Sequence, residues 1–586
     1  MPTDGEISKT PLLSEKYSGI PKHLLDKAQA AKSLIFETRT KSTSTRQRLP
    51  VIPQGIEKTK FFQALKELGQ QLGQENVEVN DKPLVDGWYM EHEEELVASA
   101  VAYPSSTEEV QKIVIWANKY RIPIFPISMG RNLGYGGAAP RVRGSVVIDL
   151  GKRMNQILDI NPEDYTCLVE PGVSFYALYE AVKAKGYDHL WIDTPDLGGG
   201  SVIGNTLDRG VGYTPYGDHW ACHSGLEVVL PTGEVIRTGM GALPGNNTWQ
   251  NFPGLFSQSN LGIVTKMGMT LMPNPGGYES FMYAFQKEED LGDLIDIIRP
   301  LRISNILENV AQVRHVIQTL AVKGKLRSTY FSGDGPIPEE VVREHVREMP
   351  IGDHTWLYYG MSYGPEHIRK YKLEIIDNEF KKIPGARRID PKTLPKDEYF
   401  WSRDRIAAGV PDLVELLWVN WVPNGAHVAF SPVSPIRGTD AMKLFKMGKS
   451  RHDEFGIDFL PAFCVGLREM HLIVEIVFDK DDPKTRKAAN DCLREMIDDA
   501  AKEGYGEYRT HLVLMDQVAG TYDWNDNALM KFNEKLKDAL DPNGILAPGK
   551  SGVWPKRYRG RGWEMTKASE NRSEGQGVAP AAGTRL

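Results

Sequence analysis

Hydrophobic and polar positions alternate along the first half of the chain in a way that predicts helices and strands in turn. Apolar residues recur at helical spacing over 61–72, and the capping-box spacing of Ser106-Thr-Glu-Glu109 predicts the start of a second amphipathic helix. Ser174 is placed to cap a third helix, which should stop at Gly186. Short apolar runs predict strands at 97–102, 122–125, 145–150 and 166–169. This alternation is typical of an α+β or α/β sandwich.

The same pattern divides the chain into two lobes. Its 586 residues exceed what one ordinary domain contains. The alternation breaks at Pro273-Asn-Pro-Gly-Gly277, where we place a domain boundary, and resumes with a strand at 356–361 and a helix at 365–380. The second lobe should end near 504, and 505–557 again looks like loop and strand material. Residues 1–55 and 558–586 are polar and are predicted to be poorly ordered.

Composition places the protein among soluble globular chains. Hydrophobic residues make up 41% of the chain, charged residues make up 25%, and the net charge is −7. No sustained basic patch with interleaved aromatic residues occurs, so nucleic-acid binding is not expected. No apolar run approaches the roughly 18 residues of a transmembrane helix, and residues 1–16 lack the apolar stretch of a secretory signal. We therefore expect no membrane association.

The four cysteines, Cys167, Cys222, Cys464 and Cys492, are far apart in the sequence. Their spacing suggests neither a metal site nor a redox motif, and it fits a reducing intracellular compartment. The last three residues, Thr584-Arg-Leu586, resemble the Ser-Lys-Leu peroxisomal address, and the alternative is a tail without that function. We expect a cytoplasmic or peroxisomal protein without a bound metal.

Three glycine-rich segments interrupt the first lobe. The first glycine loop, 126–137, follows the strand predicted at 122–125 and carries the positive charge of Arg131. Glycine permits positive φ and close approach, so such a loop can lay successive N–H groups along a phosphate or diphosphate. The second glycine loop, 193–205, and the third, 208–219, are equally irregular. Neither the dinucleotide fingerprint nor a nucleotide-hydrolase phosphate loop is present. The segments indicate a large cofactor held by backbone, and ordinary surface loops are the alternative.

Six segments of the chain, in order, resemble the vanillyl alcohol oxidase family of flavoproteins, which also holds eugenol oxidase and the flavin subunit of p-cresol methylhydroxylase. They are Gly130-Arg-Asn-Leu-Gly-Tyr-Gly-Gly-Ala-Ala-Pro140, Pro195-Asp-Leu-Gly-Gly-Gly-Ser201, Asp208-Arg-Gly-Val-Gly-Tyr-Thr-Pro-Tyr-Gly-Asp-His219, Pro423-Asn-Gly-Ala-His427, Gly506-Glu-Tyr-Arg-Thr-His511 and Ala547-Pro-Gly-Lys-Ser-Gly-Val-Trp554. The resemblance spans 75–556 and implies an α+β fold. It consists of a two-lobed FAD-binding domain, 56–276, an inserted α/β cap domain, 277–504, and a C-terminal return, 505–557.

The resemblance also implies how FAD is held. His427 matches the histidine that carries the flavin covalently through a methyl group of its ring, whereas a lone histidine is otherwise read as a hydrogen-bonded core residue. The other implied cofactor residues are Ile127, Ser128, Met129, Gly130, Arg131, Asn132, Pro195, Ser201, Gly204, Asn205, Tyr213, Gly262, Ile263 and Lys550. The implied substrate pocket, besides Tyr213, consists of Trp418, Ala429, Phe459 and Ile473.

Four residues are implied to be catalytic. Tyr135, Tyr508 and Arg509 match the cluster that binds the phenolic oxygen of the substrate, and Asp196 matches an acid beside the reactive nitrogen of the flavin. Taken singly, they could be packing tyrosines, an ion-pair partner and a turn aspartate. Together they suit a para-hydroxybenzylic substrate, because a cation and donors lower the phenol pKa from about 10. The phenolate then favours hydride departure to a quinone methide, and a carboxylate can assist water addition or proton removal.

These residues predict an FAD-dependent oxidase of 4-hydroxybenzyl alcohols or of 4-alkyl- and 4-allylphenols, with dioxygen reduced to hydrogen peroxide. An aspartate at position 196 favours an oxidase, because the methylhydroxylase type generally has a non-acidic residue there. One alternative is a 4-alkylphenol dehydrogenase that passes electrons to a protein acceptor. The other is a non-catalytic remnant of the flavin fold.

Three departures from the family pattern qualify these expectations. The stretch before Val97 is short and has His92 as its one candidate for the histidine associated with flavin attachment, which bears on the covalent bond. The segment 243–254 is also short, and its counterpart helps to assemble a larger oligomer, so we expect a homodimer. Ala429 replaces a bulky aromatic residue, which predicts a roomier pocket.

Overall fold

The computed structural model describes residues 51–79, 96–239, 242, 252–395 and 400–567. The predictions for residues 1–50, for His92 and its loop, for 243–251 and for the tail from 568 lie outside the described residues. Within them, no helix combines the length and the apolar character needed to cross a membrane. The same residues contain no cluster of three or more side chains suited to hold a metal ion.

The predicted helices and strands of the first lobe are present, with boundaries shifted by a few residues at most. Ser106 accepts a hydrogen bond from Glu109 N, and Ser174 accepts one from Ala177 N, so both predicted caps are confirmed. The α-helices are α1 Lys58–Leu72, α2 Thr107–Tyr120, α3 Phe175–Ala184, α4 Val202–Leu207, α5 Asp290–Ile303, α6 Val316–Ala321, α7 Glu339–Arg347, α8 Glu366–Phe380, α9 Phe400–Ala407, α10 Gly438–Phe455, α11 Pro483–Lys502, α12 Met515–Gly520 and α13 Trp524–Leu540.

The strands form three larger sheets and one pair. They are β1 Val77–Val79, β2 Ala100–Ala102, β3 Ile124–Ile127, β4 Val146–Asp149, β5 Ile157–Asn161, β6 Thr166–Val169, β7 Leu190–Trp191, β8 His223–Val229, β9 Val235–Arg237, β10 Ile263–Thr270, β11 Met272–Pro273, β12 Tyr278–Phe285, β13 Ala311–His315, β14 Trp356–Tyr363, β15 Arg387–Ile389, β16 Gly425–Phe430, β17 Pro432–Pro435, β18 Pro461–Val465, β19 Glu469–Asp479 and β20 Gly506–Glu507.

The first lobe contains two of the sheets. The first sheet has the order β1-β2-β4-β3, with β2, β4 and β3 parallel, and α1 and α2 pack beside one another next to it. The second sheet, β5-β6-β10-β8-β9, is antiparallel, and β7 pairs with β11. Buried apolar residues on each sheet form separate cores. This arrangement leaves the glycine loops at the edge that faces the second lobe.

The third sheet builds the second lobe and has the order β15-β12-β14-β13-β18-β19-β17-β20, with β16 also paired to β19. Its first strand along the chain is β12, which starts at Tyr278, next to the domain boundary predicted at 277. Strand β20, which ends at Glu507, belongs to this sheet as well, so the sheet extends three residues beyond the cap boundary predicted at 504. The long strand β19 is the one that carries several cavity residues described below.

The C-terminal return completes the first sheet. Ile124 N donates to Ile545 O at 2.8 Å, and Ala547 N donates to Ile124 O at 2.8 Å, which places the return beside β3. Asn260 Nδ2 donates to the carbonyl groups of Ala547 and Val553 at 3.1 and 3.0 Å. The first sheet is therefore made from both ends of the chain.

The chain is packed beyond the predicted end of the return at 557. Tyr558 is buried, and its ring lies 5.6 Å from that of Trp563 and 6.4 Å from that of Trp554. Met565 N also donates to Asp516 Oδ2 at 2.7 Å. The prediction of a disordered tail from 558 was wrong for 558–567, because aromatic packing and this hydrogen bond hold the segment.

A buried ion pair fixes the return. Lys537 is fully buried, and its Nζ lies 2.8 Å from Asp541 Oδ2 and 2.7 Å from the carbonyl oxygens of Asn260 and Leu546. Asp541 accepts hydrogen bonds from the N–H groups of Ile545 and Leu546, each at 2.9 Å. Every polar atom of the pair is thereby engaged, as a buried charge requires.

Lys537→Met should destabilise the protein by about 3–5 kcal/mol, because it leaves the Asp541 carboxylate buried without its cation. Denaturant unfolding of the FAD-containing protein measures the loss. The matched control is Lys531→Met, which removes an exposed partner of Asp526 and should cost no more than about 1 kcal/mol. Equal losses in the two variants would contradict this account.

Candidate functional site

A cavity of about 1020 Å³ lies between the glycine loops and the third sheet. Twelve of the residues predicted from the sequence line it: Asn132, Tyr135, Pro195, Asp196, Asn205, Tyr213, Trp418, His427, Ile473, Tyr508, Arg509 and Lys550. Eleven others do not: Ile127, Ser128, Met129, Gly130, Arg131, Ser201, Gly204, Gly262, Ile263, Ala429 and Phe459. All four predicted catalytic residues therefore line the cavity. Nine of the fifteen predicted cofactor residues do not.

The first glycine loop is clamped from two sides. Gly134 has φ +75°, and a Cβ there would lie 2.6 Å from His427 Nε2. Gly136 has φ +110°, and a Cβ there would lie 2.3 Å from Leu512 Cγ. Only glycine fits at these positions without displacing a neighbour. The clamp therefore fixes Tyr135, which stands between the two glycines and lines the cavity.

Arg141 ties the end of this loop to the C-terminal return. Its side chain is buried, pairs with Asp516 at 2.5 Å and donates to the carbonyl of Leu512. Asp516 also accepts from Trp554 Nε1 at 2.7 Å, and the Arg141 guanidinium lies 5.2 Å from the Trp554 ring centre. The loop and the segment that follows Arg509 are consequently one connected unit.

The first and second glycine loops meet outside the cavity. Arg131 donates to Gly199 O at 2.7 Å, and a Cβ at Gly204 would lie 2.4 Å from Ser128 Oγ. Ser201 caps α4 by accepting from Gly204 N at 3.0 Å, and its hydroxyl donates to Pro171 O. These backbones therefore approach one another closely, and the phosphate contact assigned to them from the sequence stays a prediction.

The remaining predicted cofactor residues have different surroundings. Ile127 ends β3 and is buried, and Met129 is buried as well. Ile263 begins β10 and belongs to the apolar core of the first sheet, while Gly262 faces Val228. Lys550 Nζ lies 3.4 Å from Asp208 Oδ1, at the cavity wall.

The predicted phenol-binding residues form one cluster. The Arg509 guanidinium carbon lies 4.4 Å from the Tyr135 ring centre and 5.2 Å from that of Tyr508. The ring of His471 contacts Tyr508 edge to face, with the centroids 4.8 Å apart. Among the described residues, no carboxylate forms an ion pair with Arg509. Its positive charge is therefore directed at the cavity.

Electrostatics suit this cluster to an anionic oxygen. Burial raises the pKa of Tyr135 and of Tyr508, against the opposing effect of Arg509, so both phenols stay protonated and can donate. Burial works to lower the pKa of Arg509, but the neighbouring Tyr508 and Tyr135 hold it above its ordinary value. The cluster thus offers one fixed cation and two hydroxyl donors.

A second charged group, the carboxylate cluster, consists of Asp196, Glu415, Arg314 and Arg403. Arg403 contacts both carboxylates, with Glu415 at 2.5 Å, and its guanidinium stacks 4.3 Å above the Tyr213 ring centre. Arg314 pairs with Glu415. Burial raises the pKa of Asp196 despite Arg403, whereas the two arginines outweigh burial and lower the pKa of Glu415. Asp196 is consequently the member of the pair that can take up a proton.

Glu475 is a site residue that sequence reasoning missed, as are Glu415, Arg314 and Arg403. It lines the cavity, and its Oε2 lies 3.3 Å from His427 Nε2. Burial raises the pKa of Glu475 to about 8, and burial lowers that of His427 to about 3. The available signal was a charged residue inside the apolar run 472–478, which a strand with one face on a cavity explains.

The predicted pocket residues divide into two groups. The Trp418 ring meets His427 edge to face at 4.6 Å, and Ile473 packs against a cluster that contains Tyr213. Ala429 is paired with Glu475 across the strands but does not line the cavity, so it does not widen the pocket by direct contact.

Phe459 does not belong to the pocket. Its ring packs 5.5 Å from Phe445 and 4.7 Å from His452, both on α10. A Cβ at Gly448 on the same helix would come within 2.8 Å of the ring. Apolar packing behind the sheet holds this side chain away from the cavity.

Several polar atoms are left for a ligand. Glu475 Oε2, Glu507 Oε2, Arg509 Nε and Thr510 Oγ1 are buried, belong to lining residues and have no hydrogen-bond partner among the described residues. Buried polar groups are normally paired, so a polar ligand is expected to satisfy them. An aromatic ring system with several acceptors and an N–H donor, such as that of FAD, fits this donor and acceptor set.

Comparison with known proteins identifies matching family models and relatives. The model described as an FAD binding domain matches residues 98–239, and that for the C-terminal domain of FAD linked oxidases matches 442–551. The 4-cresol dehydrogenase [hydroxylating] flavoprotein subunit of Pseudomonas putida is 37% identical over 514 residues, which are 86% of this chain and 98% of that protein. These matches confirm the predicted α+β fold and FAD as the cofactor.

Two solved structures extend the comparison. The 4-ethylphenol oxidase from Gulosibacter chungangensis, in complex with isoeugenol, has 43% sequence identity and a TM-score of 0.83, over 87% of this chain and 100% of that chain. The p-cresol methylhydroxylase structure with substrate bound has 35% identity and a TM-score of 0.81, over 86% and 99%. The comparisons support membership of the family to which these relatives belong. They do not single out vanillyl alcohol oxidase within it.

Stability should depend on pH through Glu475. Its pKa is about 8 in the folded protein and near 4.5 otherwise, so the folded state binds the proton more tightly. Stability is therefore fully present below about pH 4.5 and is lost as the pH rises towards 8. Glu475→Gln removes this contribution, and its stability relative to the wild type should rise by up to about 1.4 kcal/mol per pH unit in that window.

Denaturant unfolding at pH 5, 7 and 9 measures this difference, and Glu475→Leu serves as a second variant. It also lacks an ionisable group, so its pH dependence should match that of Glu475→Gln even if its stability at pH 5 differs. Parallel curves for the wild type and both variants would show that Glu475 does not titrate in this way.

Proposed function

The chain belongs to the vanillyl alcohol oxidase/p-cresol methylhydroxylase family of FAD-binding flavoproteins, and we propose that it oxidises para-substituted phenols. The substrates are 4-alkylphenols, 4-allylphenols and 4-hydroxybenzyl alcohols, and dioxygen is the electron acceptor that yields hydrogen peroxide. One observation carries this proposal: Arg509 has no carboxylate partner among the described residues, lies between Tyr135 and Tyr508, and shares its cavity with Asp196.

The positive charge of Arg509 promotes deprotonation of the substrate phenol. A phenol bound there loses its proton more readily, because the guanidinium and two hydroxyl donors stabilise the phenolate. Negative charge delocalised into the ring weakens the benzylic C–H bond towards hydride loss and leaves a neutral quinone methide. Bound FAD supplies the hydride acceptor.

Asp196 serves the second half of the reaction. Its pKa is raised by burial, so the carboxyl group can exchange a proton near neutral pH. It accepts a proton from water that adds to the quinone methide, or removes one from the substrate side chain. Glu415 and Arg403 hold it in position throughout, because the pair of arginines keeps Glu415 ionised.

A dehydrogenase that passes electrons to a protein acceptor is the second candidate. The Pseudomonas putida relative, a flavoprotein subunit, is named a dehydrogenase, whereas the relative from Gulosibacter is named an oxidase. Asp196 favours the oxidase, as the sequence predicts. The homodimer also stays a proposal, which light scattering on the purified protein tests.

Anaerobic mixing with 4-ethylphenol or vanillyl alcohol should bleach the flavin absorbance, and admitted air should restore it with release of peroxide. Stopped-flow absorbance and a peroxide assay measure the two steps. Bleaching followed by sluggish reoxidation would favour the dehydrogenase. A flavin that no para-substituted phenol bleaches would refute phenol oxidation, and a colourless protein after incubation with FAD would indicate a non-catalytic remnant.

Arg509→Lys should lower kcat/KM about 10²- to 10³-fold at pH 7, because a lysine cannot reproduce the guanidinium geometry at an oxyanion. The loss should shrink as the pH approaches the phenol pKa of about 10, where the substrate ionises without help. Arg209→Lys is the matched control, since Arg209 stacks 4.6 Å from Trp220 at the cavity wall. A pH-independent loss for Arg509→Lys would argue against phenolate stabilisation.

We propose that FAD is bound covalently through His427, which lines the cavity next to Gly134. Acid-precipitated wild-type protein should stay yellow, and His427→Ala should release the flavin into the supernatant. The absorbance of pellet and supernatant measures both fractions. Complete loss of colour from the wild-type pellet would refute the covalent bond.

A further inference from the structure

The third glycine loop contributes Tyr213 to the cavity, but the buried histidine at its end, His219, has no part in the chemistry described above. It folds back on itself through a bridge between Val211 and Asp218 and a hydrogen bond from Gly212 N to Gly217 O at 2.7 Å. The loop ends by directing His219 inwards, where the side chain is 1% exposed. A buried histidine at the end of a surface loop needs partners for both ring nitrogens.

Both nitrogens have neighbours from the second glycine loop. Nδ1 lies 2.5 Å from Asn205 Oδ1, and Nε2 lies 3.4 Å from Asp193 Oδ2. Asp193 is itself held, because its Oδ1 accepts from Thr214 N and Oγ1 at 3.0 and 2.8 Å. The ring also stacks on Phe175 at 5.2 Å. Asp193, His219 and Asn205 thus lie in a row, with a hydrogen bond between His219 and Asn205 and a 3.4 Å approach without a hydrogen bond between His219 and Asp193, and we call this group the Asp193 relay.

The backbone of the loop encloses this chain. A Cβ at Gly210 would lie 1.9 Å from Asn205 Oδ1, and a Cβ at Gly212 would lie 2.3 Å from the Asp193 carboxylate. No other residue type fits at either place without displacing the side chain of Asn205 or Asp193. The glycines of the motif are therefore explained by the relay that they cover.

The relay ends at the cavity. Asn205 lines it, whereas Asp193 and His219 do not. An amide oxygen can only accept, so the hydrogen between His219 and Asn205 is on Nδ1 and is donated to Asn205 Oδ1, while Nε2 is the ring nitrogen that faces the Asp193 carboxylate. The amide nitrogen of Asn205 is then left to donate elsewhere. Asn205 shares the cavity with Asp196 and Tyr135, the residues expected from the sequence near the reacting part of FAD.

We propose that Asp193 and His219 are positioning residues that hold the Asn205 amide nitrogen towards an acceptor on the FAD ring. A donor at that place stabilises the negative charge that the ring gains on reduction. Loss of the relay should therefore make the flavin harder to reduce. The inference uses FAD as the cofactor and makes no use of the proposed phenol substrate.

The test is a double-mutant cycle on the midpoint potential of the bound flavin, measured by dye-coupled reduction of the holoprotein. Asn205→Ala and Asp193→Asn should each shift the potential to more negative values. Asp193→Asn should cause no further shift in the Asn205→Ala background, because it acts through that amide. An unchanged potential in Asp193→Asn, or equal shifts in both backgrounds, would overturn the proposal.

Two further variants keep the test decisive. Thr214→Val weakens the anchoring of Asp193 without altering the relay itself, and should shift the potential in the same direction by a smaller amount. Asp188→Asn is the matched control, because its carboxylate pairs with Lys183 at the surface and should leave the potential unchanged. A shift in Asp188→Asn as large as that in Asp193→Asn would also overturn the proposal. The midpoint potential is measured without any phenol. Failure of this proposal is therefore distinguishable from failure of the proposed phenol oxidation.

Discussion

The absence of side chains at Gly134 and Gly136 is the constraint on which the site depends. At these two points the first glycine loop touches His427 from the cap sheet and Leu512 from the C-terminal return. Three separate parts of the chain therefore meet at Tyr135. The Arg141–Asp516 pair closes the same junction from behind, so that the tyrosine cannot move without moving Leu512. The position of Tyr135 is thus set by close packing at two glycines.

Charge pairing makes the carboxylate cluster and the cluster around Arg509 electrostatically different. Arg314 and Arg403 are each engaged by carboxylates, which leaves the carboxylate cluster nearly neutral and able to exchange a proton at Asp196. Arg509 has Tyr135 and Tyr508 around it instead, and no carboxylate among the described residues forms an ion pair with it. A buried cation without a counter-ion is costly, and its retention is understandable if the ligand supplies the missing charge.

The sequence predicted most of the fold, because caps and periodicity are local signals. Ser106 and Ser174 cap helices as expected, and the parallel strands β2, β3 and β4 lie within a few residues of the predicted runs. The third sheet could not be assembled in this way, since its order β18-β19-β17 joins strands whose register no local pattern specifies.

The same difference between local and tertiary signals explains which residues of the candidate site the sequence predicted. Tyr135, Asp196, Tyr508 and Arg509 belong to motifs and were found, and they share one cavity. Glu475 lies on a strand, and its direction follows only from the pairing of β16 with β19, as does the position of Ala429 behind the lining. Phe459 is apolar and adjacent to the pocket strands, but tertiary packing on α10 decided its place.

The C-terminal return beside β3 has a consequence for the order in which the protein is made. Residues 545–547 complete a sheet whose other strands are synthesised more than 390 residues earlier, since β4 ends at Asp149. A chain emerging from the ribosome can form α2 and the parallel strands, but it holds an open sheet edge until its last segments leave the exit tunnel. The first sheet therefore gains its last neighbour only after the whole cap has been synthesised.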